Sequence, residues 1–144
     1  MMQIERPTLI LDDNGYEVEE DLIDEMARYA LSVIWRYVDL DIYEGEHPPT
    51  RLLKVRRTPD GYPYLEPMPA ELKWQWRNTE NYSNDIVTGG ALGIIATLYA
   101  CSHLSFAYYD TDEARAQRFS EMYQAVYELA IHHAEATAIA LAID

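Results

Sequence analysis

Four histidines and one cysteine are the side chains best suited to metal binding or nucleophilic chemistry in this 144-residue chain: His47, His103, His132, His133 and Cys101. Their spacing works against both. His132 and His133 are adjacent, so on a helix they point about a hundred degrees apart and cannot face one metal together. Cys101 and His103 are two apart and diverge, which keeps an imidazole from activating the thiol. There is no HExxH run, CxxC pair or facial triad. Gly89-Gly90 at a helix start could hold an anion on free backbone amides, but it follows no P-loop or dinucleotide pattern and reads as a close-packing site. Asp12-Asp13-Asn14-Gly15 has its glycine too early for a calcium loop and reads as a turn. The expectation is no catalytic residue, no cofactor and no metal site: not an enzyme.

One further chemistry is suggested by Lys54, Arg56, Lys73 and Arg77 lying near Trp74 and Trp76, the mixture used to stack and neutralise single-stranded nucleic acid. Residues 71–77 (ELKWQWR) alternate, however, with Leu72, Trp74 and Trp76 on one face and Lys73, Gln75 and Arg77 on the other. The rings then belong to the core and the bases to a solvated face.

The element that must organise these residues is the stretch from Thr88 to Phe106, the longest run without a charged side chain. Leu92, Ile95, Tyr99 and Ser102 form one stripe, and Ile94, Leu98, Cys101 and Leu104 widen it until the helix is apolar nearly all round. It is long enough to cross a bilayer. Gly89, Gly90, Gly93, Ser102 and His103 dilute it and no basic flank orients it, so it reads as a buried central helix with Thr88 as N-cap.

Around it the chain reads in order. Residues 7–11 form a short strand. A helix spans about Glu19 to Leu40, with Glu19, Glu20, Asp21 and Asp24 in its first turns, where the macrodipole favours acids. Residues 39–49 are a loop. Residues 51–57 and 62–66 are strands joined by the turn Thr58-Pro59-Asp60-Gly61, with Pro63 marking an edge. Residues 71–77 add another strand, and 78–85 form a polar loop. A helix opens at Thr111 or Asp112, with Phe119, Met122 or Tyr123, Val126, Leu129 or Ala130, and His133 on its inner stripe, and a short helix covers about 134–143. The expected fold is α+β: a small antiparallel sheet of three or four strands packed against a buried central helix and flanking helices. One domain spans residues 1–144, with residues 1–6 fraying.

The net charge is −14, divided as −10 over residues 1–47, +3 over 48–78 and −7 over 79–144. A field of that sign disfavours nucleic acid and anionic membrane and suits a basic partner. A lone cysteine inside an apolar helix and no secretory leader point to the cytoplasm.

Two segments carry a resemblance. Gly93-Ile94-Ile95-Ala96-Thr97-Leu98-Tyr99-Ala100-Cys101-Ser102-His103-Leu104-Ser105-Phe106 is similar to the helix G-I-x-A-T-L-[FY]-A-x-[SN]-H-L-[AS]-F of the plasmid and phage antirestriction family typified by ArdB and KlcA. The run from His133 to Asp144 resembles that family's H-P-E-A-x-A-I-x-x-A-I-D, with Ala134 in place of its proline. The resemblance covers residues 86–144 well and the first half loosely. RLLKVRR stands where the family has an aromatic strand, and Thr88-Gly89-Gly90-Ala91 stands for its Ser-Ala-Asp-Ala.

The resemblance implies a small protein of mobile DNA that relieves host type I restriction without catalysis or cofactor. Its implied partner is a host restriction protein or, given the divergent middle region, a CRISPR defence protein. Ile94, Leu98, Leu104, Phe106 and Ile139 are expected to pack in the core. The polar shared positions Thr88, His103, Glu135 and Asp144 are the candidate interaction residues. The acids Asp12, Asp13, Glu17 and Glu20 join them under an alternative reading, in which the chain mimics DNA to inhibit another nuclease such as a CRISPR effector. A small hydrolase is the remaining alternative.

Overall fold

The computed structural model describes residues 7–10, 20–38 and 52–144. In chain order the elements are β1 (Thr8–Ile10), α1 (Glu20–Tyr37), β2 (Leu52–Arg57), β3 (Pro63–Pro67), β4 (Lys73–Asn78), β5 (Ser83–Thr88), α2 (Gly89–Ala107), α3 (Glu113–Ile131) and α4 (Ala136–Ile143). The class is α+β, as expected. The strands divide into two sheets, β1-β2-β3 and β4-β5, and β1 runs parallel to β2 where an antiparallel partner was expected. Pro63 does lie on an edge strand, opposite Arg57. The loop expected over residues 78–85 is also corrected: Ser83–Thr88 is a strand, paired residue for residue with β4. Ser-Asn-Asp offers no apolar alternation, and only Ser83 and Val87 of β5 are buried outright. What makes it a strand is its partner, since Val87 sits opposite Trp74 and Asp85 opposite Trp76.

The centre of the molecule is α2, which packs against α3, α1, β3 and α4. Its length and composition would suit a membrane span, but 61% of that apolar window is buried inside the fold. Two glycines let it approach β3 and the turn that follows it. A Cβ on Gly89 would come within 2.8 Å of the Ala70 carbonyl oxygen, and one on Gly93 would overlap the Leu65 carbonyl oxygen and reach within 2.8 Å of Glu66 Cα. One turn beyond Gly93, the Thr97 hydroxyl accepts the Leu65 amide proton at 3.0 Å, so backbone contact and hydrogen bond fix α2 on β3 together. Trp74 and Trp76, each 1% exposed, press into this core from β4. They offer no stacking platform to a nucleic acid, as the alternation implies. Arg56, from the basic face, is held by Glu66 at 3.0 Å.

Cys101 is fully buried, its sulfur 3.5 Å from that of Met26, and burial pushes the thiol up to about 12. His103, two residues on, is exposed. The two point apart, as their spacing requires. The thiol is expected to resist iodoacetamide at pH 8 in the folded protein and to react once urea unfolds it, since only an accessible thiolate attacks. The sign of the linkage follows. Stability from the protonated thiol is complete below its ordinary value of 9.0 and declines as pH climbs from there toward about 12. Equal labelling rates in the folded and unfolded protein would contradict this burial.

Candidate protein-interaction face

Thr88 and Glu135 are 47 residues apart in sequence and in contact in space. Thr88 ends β5 in extended geometry and caps α2, its hydroxyl oxygen accepting from the Ala91 N–H at 3.3 Å. Glu135 closes the same helix end from outside. One carboxylate oxygen accepts the Thr88 N–H at 3.0 Å and the other accepts the Thr88 hydroxyl proton. Glu66 also lies here: its Oε2 is 3.5 Å from where a Cβ on Gly90 would sit. Two carboxylates therefore occupy the positive end of the macrodipole. The Gly89 N–H is taken by the Leu72 carbonyl at 2.9 Å, and with Glu66 and Glu135 alongside, this helix start is not an open anion site. Glu135 is oriented in turn by His133, whose Nδ1 accepts the Glu135 N–H at 2.9 Å. His133 was expected on the inner stripe of α3. That helix instead ends at Ile131, and the imidazole serves the turn that follows.

From Glu135, α4 runs alongside α2 and is pinned again at its far end. The Asn81 amide donates to the carbonyls of Ala142 and Asp144, both at 3.0 Å. The Tyr99 hydroxyl donates to the Ala142 carbonyl at 2.6 Å and accepts from Asn78 at 3.1 Å. These donors satisfy carbonyls that a helix terminus leaves open. Asn81 is itself held by Ser83, whose hydroxyl donates to it at 2.7 Å while accepting from Trp76 Nε1 at 2.8 Å. The β4–β5 turn is thus the C-terminal cap of α4. Asp144 is bound there through its backbone, with its residue exposed.

Beside that end of α4 lies a pocket of about 340 Å³. Its floor is Leu98 and Ile143, and its walls carry Tyr29 of α1, Tyr99, Ser102 and His103 of α2, and Tyr123 of α3. The His103 ring stacks on Tyr29 with centroids 4.4 Å apart and planes 14° from parallel. Burial, ahead of any neighbouring charge, raises the pKa of the Tyr29, Tyr99 and Tyr123 phenols. Phe106 completes the rim and corrects an expectation. Placed in the core by its position in an apolar helix, it is 78% exposed. The last turn of α2 projects past the elements that cover its middle. Tyr99, Ser102, His103 and Phe106 then fall at i, i+3, i+4 and i+7, one stripe of α2 facing outward. That spacing was present in the sequence, masked because the helix looks apolar on every side. Tyr29 and Tyr123 showed in the sequence only as members of the apolar stripes of their own helices, with nothing to join them to this one.

The candidate residues thus separate. Thr88 and Glu135 meet at the start of α2. His103 lies in the pocket toward its end, and Asp144 directly follows pocket residue Ile143. Glu20 is exposed in the first turn of α1, while Asp12, Asp13 and Glu17, like His47, lie outside the described residues. Many described acids are engaged by bases: Asp24 by Arg28, Glu25 by Arg115, Glu80 by Arg36 and Glu121 by Arg118. Among the described residues no three histidine, cysteine or acidic side chains form a metal-ligating group.

Comparison with known proteins gives a family and a fold. The family model described as "Antirestriction protein" matches residues 52–144. The fold is similar to a solved structure of the KlcA and ArdB proteins, with a TM-score of 0.67 at 22% identity over 93% of this chain and 92% of that one. That work is described as showing a novel fold and antirestriction activity against Type I DNA restriction systems in vivo but not in vitro. No curated protein sequence matches the chain.

Proposed function

We propose, from the premise that this chain belongs to the antirestriction protein family, that it relieves type I restriction by binding a host defence protein or its regulator, without catalysis. The observation that carries this reading is the family match over residues 52–144, which spans both the α2 motif helix and the pinned α4. The surface at the end of α2 supports binding as the mode of action. It presents exposed aromatic side chains around a pocket, the kind of anchor that dominates protein interfaces. The conspicuous polar residues at the start of α2 are occupied in capping, and Cys101 is sealed in the core. The described acids, spread over several elements and often paired with bases, favour a protein contact over mimicry of a phosphate row.

KlcA and ArdB are described as active in vivo but not in vitro. Carried to this chain, that pattern calls for a target present in the cell and missing from a purified restriction reaction, such as a regulator of the restriction complex. The cytoplasm is where such a target would be met. Affinity capture of the tagged chain from a type I restricting host, read by mass spectrometry, tests this. Enrichment of a restriction subunit or of a protein controlling it is expected. If relief of restriction occurs while neither is enriched over a tag-only control, the binding mechanism is wrong.

A further inference from the structure

The pocket at the end of α2 has a chemistry narrower than a generic apolar groove. Rings from three helices line it, and no lysine, arginine, aspartate or glutamate is among its lining residues. Its remaining polar groups are hydroxyls and the His103 imidazole. Hydroxyl oxygens accept hydrogen bonds, and ring faces attract cations. Elsewhere this fold pairs such rings with its own arginines: Arg36 over Tyr37 at 5.2 Å, Arg115 over Tyr108 at 5.0 Å and Arg118 over Tyr62 at 4.8 Å. Those arginines are tied to Glu80, Glu25 and Glu121. The pocket walls have no such arginine among them.

Building on the binding role proposed above, we infer that this pocket receives an arginine side chain presented by the partner protein. Charge complementarity selects a cation. The chain carries −14, and the exposed Asp144 follows Ile143 of the pocket floor. Glu80 and Arg36, which act in opposite senses on the Tyr99 and Tyr29 phenols, are paired with each other at 2.9 Å and leave the selection to the chain's overall charge. Arginine fits better than lysine. Its planar guanidinium stacks on rings, sheds water more readily than an ammonium and offers five donors to the hydroxyls. A volume of about 340 Å³ accommodates one such side chain. Phe106, 78% exposed at the rim, closes over it and loses its own contact with water.

The test uses the full chain and a small probe. Aromatic ring resonances are followed by NMR during titration with N-acetyl-L-arginine methylamide, against the neutral citrulline analogue and the lysine analogue at physiological salt. Saturable shifts of Tyr29, His103, Phe106 and Tyr123 with the arginine probe are expected, weaker with lysine and absent with citrulline. Phe106→Ala, at an exposed position, should leave the melting temperature unchanged and weaken arginine binding roughly tenfold. Equal shifts with citrulline, no saturable shift with arginine, or undiminished affinity in Phe106→Ala would each overturn the inference. Measuring restriction relief by the wild-type chain in parallel separates the two readings. Relief without an arginine response refutes the pocket alone, and an arginine response without relief refutes the antirestriction role alone.

Discussion

Gly93→Ala is expected to destabilise the protein by about 3 kcal/mol or more, a large fraction of the total stability of a small domain. Helix propensity points the other way, since alanine in place of a mid-helix glycine is favoured by about 1 kcal/mol. Packing decides the sign. The added methyl would meet the Leu65 carbonyl oxygen and Glu66 Cα, which are backbone atoms of β3 and cannot rotate away. Moving α2 off the strand to make room would also stretch the 3.0 Å bond from the Leu65 amide to Thr97. Gly90→Ala is the internal control, because its methyl would meet only the Glu66 carboxylate at 3.5 Å and the Thr88 hydroxyl at 3.8 Å. Urea denaturation of the two variants should separate them clearly. A Gly93→Ala protein as stable as the Gly90→Ala protein would mean that α2 does not sit this close to β3.

Glu135→Ala is expected to cost about 2 kcal/mol, with Glu135→Gln losing roughly half as much. The carboxylate accepts two bonds from Thr88 and sits at the positive end of the central helix. Alanine removes both acceptors, while glutamine keeps one acceptor and gives up the charge. Thermal melts read this directly, and they also decide what Glu135 is for. A capping residue lowers the melting temperature when removed, and any loss of restriction relief then follows stability. A partner contact would instead leave the melting temperature unchanged while relief disappears. The first pattern is predicted.

How far the chain could be read from its residues varied with the kind of information each segment holds. The central helix was legible almost to the residue, because a charge-free run, a threonine cap and a pair of glycines are all local signals. The helix after it was legible from its stripe, and Ala116, Phe119, Met122, Val126 and Ala130 are the positions it buries. Strand β5 was not, since Ser-Asn-Asp is strand-forming only against the tryptophans of β4. The parallel pairing of Thr8 with Leu52 joins residues far apart in sequence, and no local pattern records it. At the site, Thr88, His103 and Glu135 were visible as residues but not as partners. The bond between Thr88 and Glu135 and the stacking of His103 on Tyr29 are tertiary facts. Phe106 misled because periodicity tells which way a side chain points and not whether a neighbour covers it.

The most direct measurement is the plating efficiency of unmodified phage on a type I restricting host, with the chain expressed or absent. Three proteins suffice: wild type, the His103→Ala/Phe106→Ala double variant and Gly90→Ala as a scaffold control, each checked for melting temperature. Wild type and Gly90→Ala should raise plating well above the level without the chain, and the double variant should retain less than about a tenth of that rise, in line with the loss of two anchors from a small interface. Unchanged plating with wild type, in cells where the folded protein accumulates, would contradict the account at its centre.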